Sequence, residues 1–121
     1  MNPTELKART KTFALRIIKL TRAIPKNDDA GRVIAKRIVW SGTSVAANYR
    51  ASCRARSQAE FIAKIGTVEE EADETALWLE LLVDSGIMSE RKLSALLTEV
   101  DEITAIMASS HDFKNACRCS A

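Results

Sequence analysis

Trp40-Ser41-Gly42-Thr43-Ser44-Val45-Ala46-Ala47-Asn48-Tyr49-Arg50 is the stretch on which the fold turns. At helical spacing one side of it carries Ser41, Ser44, Val45, Ala47, Asn48 and Ala51, small or polar groups where a core helix usually carries leucine. A helix with such a side lets a neighbouring helix approach closely. The stretch belongs to a longer tract, 29–54, whose stripe reads Ile34, Ile38, Ser41, Val45, Asn48 and Ser52 in steps of four and three. An asparagine on that stripe needs a fixed partner, because a buried amide left unbonded costs free energy. Such a residue can also set register and oligomeric state.

Outward from this tract the same spacing recurs. Leu6, Thr10, Phe13, Ile17, Leu20 and Ile24 form a seam that Lys7, Lys11, Arg16, Lys19 and Arg22 avoid, which predicts a helix over 4–23. Pro25 ends it, and Asp28 or Asp29 can cap the next one. Ser57-Gln58-Ala59-Glu60 has the form of a capping box, opening a third helix over 58–85 through Phe61, Ile65, Val68, Ala72, Thr75, Leu79 and Leu82. Gly86 suits the left-handed residue after it, and Ser89 is the next cap. Leu93, Leu96, Val100, Ile103 and Met107 then predict a fourth helix over 90–113, with a frayed tail from Lys114. Long helices joined by short connections run antiparallel to their sequence neighbours. The expected fold is all-α: a left-handed, up-down-up-down four-helix bundle occupying 1–121 as one domain. So narrow a chain has much side surface and is expected to bury more by associating with itself.

Composition narrows the function classes. No apolar run approaches a membrane span, and the first residues lack the apolar segment of a secretory signal, so the expected location is the cytoplasm. Cys53, Cys117 and Cys119 are odd in number and lack metal or redox spacing, so they read as reduced thiols. A di-metal carboxylate site would need Glu-x-x-His, yet the single histidine, His111, has Ala108 at that spacing. With no nucleophile motif and no phosphate loop either, no catalytic residue, metal or cofactor is assigned. An enzyme built on the Glu69–Glu74 carboxylates is the least favoured reading.

Charge is the informative signal. Residues 1–56 hold thirteen Lys and Arg against three acids, a balance of +10, while the remainder balances at −8. Either a basic surface meets nucleic acid, or two oppositely charged halves meet within or between subunits as a protein-only adaptor. RNA or DNA is expected to bind through the Lys and Arg of helices 1 and 2, the site candidates being Lys36, Arg50, Arg54 and Arg56, with Tyr49 placed to stack on a base. Glu71 and Glu74 flank the third seam and are expected to reach Ser44, Asn48 or Tyr49 in a polar contact between helices 2 and 3. Trp40 and Trp78 read as packing residues or as anchors of a subunit interface.

Taken together, Phe13–Leu20 with Ile24-Pro25-Lys26, Ser41–Ala51, Ser57–Lys64, and Val68–Thr75 followed by Trp78–Leu82 resemble the bacterial four-helix bundle proteins related to those encoded in intervening sequences of large-subunit ribosomal RNA. The resemblance implies a homopentameric ring. It also implies distant similarity to the accessory protein of diversity-generating retroelements, which binds nucleic acid and a reverse transcriptase. This chain departs from common family wording in Arg37, Trp40 and Ala51, where Gln, Arg and Glu are frequent. The resemblance supplies no catalytic residue.

Overall fold

Asn2 opens the first helix with a full capping box: its Oδ1 accepts the Glu5 N–H at 2.8 Å, and the Glu5 carboxylate accepts the Asn2 N–H at 3.3 Å. The computed structural model describes residues 1–110 and places in them α1 (Pro3–Ala23), α2 (Asp29–Ser52), α3 (Gln58–Asp84) and α4 (Glu90–Ser109). No strand occurs among the described residues. The helix expected over 90–113 has its described end at Ser109, and 111–113 lie outside the described residues together with His111, Cys117 and Cys119.

Local chemistry fixes the other boundaries. The Asp28 carboxylate accepts the Gly31 N–H at 2.8 Å and starts α2. At the start of α3, Ser57 Oγ accepts the Glu60 N–H at 3.0 Å, but the Glu60 carboxylate turns to the Arg56 N–H at 3.2 Å and not to that of Ser57. Ser89 sits at the N-cap of α4 without a side-chain bond. Gly86 follows α3 with φ +80°, a conformation L side chains avoid, and lets the Met88 N–H return to the Leu82 carbonyl at 3.0 Å.

Each seam turns inward. Leu6, Phe13, Ile17 and Leu20 of α1, Phe61, Ile65, Val68, Ala72, Leu79 and Leu82 of α3, and Leu93, Val100, Ile103 and Met107 of α4 are buried in one core. On α2 the expected stripe slips by one residue. Ile34, Ile38, Ser41, Val45 and Ser52 are buried, but the position between the last two belongs to Tyr49, at 3% exposure, and Asn48 is only half-buried. The 3.6-residue turn brings both residues near the seam one turn after Val45, and the tyrosine ring gains far more from leaving water than the amide does.

Consecutive helices make the extensive contacts, whereas α1 and α4 touch only lightly. Two devices govern the spacing. At Gly42 an added Cβ would lie 2.9 Å from Ile17 Cγ2 and 3.1 Å from Ile17 Cβ, so α1 and α2 meet with no room for a side chain. Between α1 and α4, Arg9 forms a two-pronged pair with Glu99, Nε to Oε2 at 2.8 Å and Nη2 to Oε1 at 2.7 Å, with Glu102 at 3.3 Å. That fork closes the side of the bundle with the least packing.

Candidate functional site

The C-terminal half of α2 stands between two cation-lined clefts. On its α1 side a cleft of about 480 Å³ is lined by Lys7, Lys11, Arg50 and Arg54 with Ala8, Ala14, Thr43, Ala46 and Ala47, and among the described residues no carboxylate lines it. On its α3 side a second cleft, about 520 Å³, is lined by Arg50, Arg54, Arg56 and Lys64 with Ala47, Ala51 and Glu60. The Glu60 carboxylate is engaged with the Arg56 backbone N–H at 3.2 Å. The antiparallel fold explains the gathering: the start of α1, the end of α2 and the start of α3 share one end of the bundle. None of these six cations forms an ion pair with another described residue.

Of the residues proposed from sequence to bind nucleic acid, Arg50, Arg54 and Arg56 thus lie together. Lys36 does not join them, and Tyr49 is buried, so its ring cannot stack on a base. Lys7, Lys11 and Lys64 were not singled out as site residues. Lys7 and Lys11 carried a signal, being four apart on the polar side of α1, but only the antiparallel pairing brings them beside Arg50.

Lys36 belongs to a different hollow, about 650 Å³, lined by Val33, Lys36, Arg37, Trp40, Glu71 and Glu74. Trp40 is 75% exposed and Val33 56% exposed, so the expectation that Trp40 packs within its own chain is corrected. Gly42, not an indole, governs the close approach at this level of α2. Glu71 Oε2 is buried with no hydrogen-bond partner among the described residues. Loss of hydration, reinforced by Glu74 and Glu70, raises the pKa of that carboxyl.

The expected polar contact between α2 and α3 uses other residues. Thr75 Oγ1 lies 2.7 Å from Ser41 Oγ and 2.7 Å from the Glu71 carbonyl, both hydroxyls being buried. Asn48 is fixed within its own helix, donating to the Ser44 carbonyl at 3.0 Å and to Ser44 Oγ at 2.8 Å, so neither reaches Glu71 or Glu74. Trp78 is half-buried against the core with its Nε1–H buried and unpartnered, two turns along α3 from Glu71. Among the described residues no group of three or more His, Cys, Asp or Glu could hold a metal ion, and no helix is long and apolar enough to cross a membrane.

A sequence model of the 23S rRNA-intervening sequence protein family matches residues 4–109, which spans all four helices. The chain belongs to that family. It is similar to a crystal structure, at 1.70 Å, of a protein of unknown function from the S23 ribosomal protein family of Bacteroides thetaiotaomicron. The two share 32% sequence identity and superpose with a TM-score of 0.84 over 92% of this chain and 98% of that one. A search of curated proteins finds no match. Neither match attaches a reaction or a ligand to any residue described above.

Proposed function

We propose that this family member is a non-enzymatic, self-associating helical scaffold that holds the phosphate backbone of RNA or DNA at the α1–α2 end of the bundle. The observation that carries the reading is the α1-side cleft, where Lys7, Lys11, Arg50 and Arg54 converge and, among the described residues, no carboxylate lines the wall. Cations without an internal partner are the usual means of neutralising phosphates, and each phosphate contact releases condensed counterions. Binding of mixed-sequence RNA and DNA should therefore weaken steeply with salt, with a log–log slope of roughly −3 to −4 for four contacts. Absence of binding at low salt would refute the nucleic-acid part.

Self-association is supported by a separate observation, the Trp40 flank. An indole this exposed, beside Val33 and a buried carboxylate oxygen with no partner among the described residues, has the composition of an interface anchor. A basic group of a second copy would satisfy Glu71, in keeping with the charge contrast between the two parts of the chain. Light scattering is expected to give the mass of a pentamer, and Trp40→Ala is expected to reduce it without lowering helix content. An unchanged mass in that variant removes the flank from the interface.

A further inference from the structure

The geometry points to duplex DNA as the nucleic acid held, its two strands lying on opposite sides of α2. This inference rests on the phosphate-backbone reading and adds the form of the ligand.

Two cationic clefts flank the C-terminal half of α2 and share Ala47 and Arg50 of that helix and Arg54 just beyond its end. Lys7 and Lys11 form the outer rim on the α1 side, Arg56 and Lys64 the outer rim on the α3 side. A single strand would fill one cleft and leave the other rim unused. A duplex presents two phosphate backbones separated by a groove, and the B-form major groove, about 12 Å wide, admits a helix whose diameter with side chains is about 10–12 Å. Apart from Arg50, the α2 residues that line the clefts are short, Thr43, Ala46, Ala47 and Ala51, so a single long side chain rises between the rims and the rims can reach the flanking backbones.

Two further observations favour duplex DNA over other nucleic acids. Single-strand binders stack bases on aromatic side chains, and among the described residues neither cleft has one: Tyr49 is buried, and Trp40 lies in a different hollow. A-form RNA has a deep, narrow major groove that does not accept a helix. With Arg50 and Arg54 engaged on the phosphate backbones, the alanines between the rims offer no donors or acceptors to base edges, so recognition should tolerate most sequences.

The test is fluorescence anisotropy of the full chain with a labelled mixed-sequence DNA duplex of about 20 base pairs, one of its single strands, and an RNA duplex of the same sequence, between about 50 and 200 mM salt. The duplex DNA is expected to bind at least about tenfold tighter than the other two, with a log–log salt slope of about −5 from six cations. Lys7→Gln/Lys11→Gln and Arg56→Gln/Lys64→Gln should each lower that slope by about 2. On the single strand, which can move to the intact cleft, either pair should cost no more than about twofold, the statistical loss of one of two equivalent sites. All four side chains lie at least partly in solvent, and circular dichroism will verify that the variants fold. Equal affinity for single and double strands, equal affinity for the RNA duplex, or a duplex response to only one pair overturns the two-strand arrangement and leaves the phosphate reading standing. No binding by any probe overturns both.

Discussion

Gly42→Ala and Gly66→Ala make the same chemical change in two helix interiors and should move stability in opposite directions. Both glycines lie inside a helix, so alanine gives each variant roughly the same benefit, about 1 kcal/mol, from reduced backbone entropy in the unfolded chain and better helix propensity. At Gly66 nothing among the described residues lies within 4 Å of the new methyl, so that benefit is realised in full. At Gly42 the methyl would sit 2.9, 3.0 and 3.1 Å from Ile17 Cγ2, Cγ1 and Cβ. Ile17 is fully buried and branched at Cβ, so those atoms cannot swing aside and α1 itself must shift. Overpacking of this kind costs about 1–3 kcal/mol, which leaves the variant between neutral and about 2 kcal/mol less stable than the parent. For a domain of this size about 1 kcal/mol corresponds to roughly 4 °C in Tm. Thermal and urea unfolding followed by circular dichroism should therefore place Gly66→Ala a few degrees above the parent and Gly42→Ala at or below it. If Gly42→Ala gains as much as Gly66→Ala, α1 and α2 do not meet at Ile17, and the account of how the small residues of α2 set helix spacing is wrong.

Ser41→Ala and Thr75→Val should each destabilise by about 1 kcal/mol, since each leaves a buried hydroxyl with one partner fewer, while the double variant should cost less than the sum; strict additivity in urea unfolding would show that the pair does not interact. Glu99→Gln should cost about 1 kcal/mol at neutral pH by weakening the fork that holds α4 to α1. The hydrogen bond from Arg9 holds the Glu99 carboxyl below its usual value despite burial, so its contribution is present above the unfolded pKa, about 4.3, and is lost as pH falls through the folded one. The variant should accordingly show a flatter acid limb, and an unchanged limb would exclude the fork as its cause. Glu71 has the opposite sign. Its raised pKa means the folded state binds the extra proton, so stability falls as pH rises through that window, and Glu71→Gln in dilute monomeric protein should raise Tm at pH 7 but not at pH 4. A lower Tm at both values would mean that the carboxylate has a partner within the protomer.

The seams of α1, α3 and α4 were legible in the sequence because an unbroken alternation of four and three leaves one solution to which face is apolar. The stripe of α2 was legible only as far as Val45. Beyond it, Asn48 and Tyr49 both lie near the seam, and spacing alone does not say which side chain loses more by staying wet. The same limit applied to the site. Arg50, Arg54 and Arg56 are close in sequence and could be grouped by eye, whereas Lys7, Lys11 and Lys64 join them only because three helices bring the same end of the bundle together. Lys36 was misgrouped for the converse reason: it shares a helix with Arg50 but lies about four turns away. The polar link between α2 and α3 was foreseeable in kind and not in membership, since hydroxyls are short enough to meet inside a tight interface and carboxylates are not.

One property of α2 underlies both packing and site. Glycine and serine on its inward sides let Ile17 of α1 and Thr75 of α3 come against it, which draws the flanking helices close on either hand. Apart from Arg50, the residues of its outward side that line the clefts are alanine and threonine, short enough to leave those clefts open between the neighbours. Long aliphatic residues at Thr43, Ala46 or Ala47 would fill the clefts and lift any ligand away from Lys7 and Lys11, even with every cation retained. Ala47→Leu is thus the variant that separates cleft shape from charge. It should leave the net charge unchanged and weaken nucleic-acid binding with little change in the salt slope of whatever binding remains, because the number of phosphates neutralised governs that slope. If affinity is unchanged in Ala47→Leu, the ligand does not enter the clefts and the cations act only as a diffuse surface.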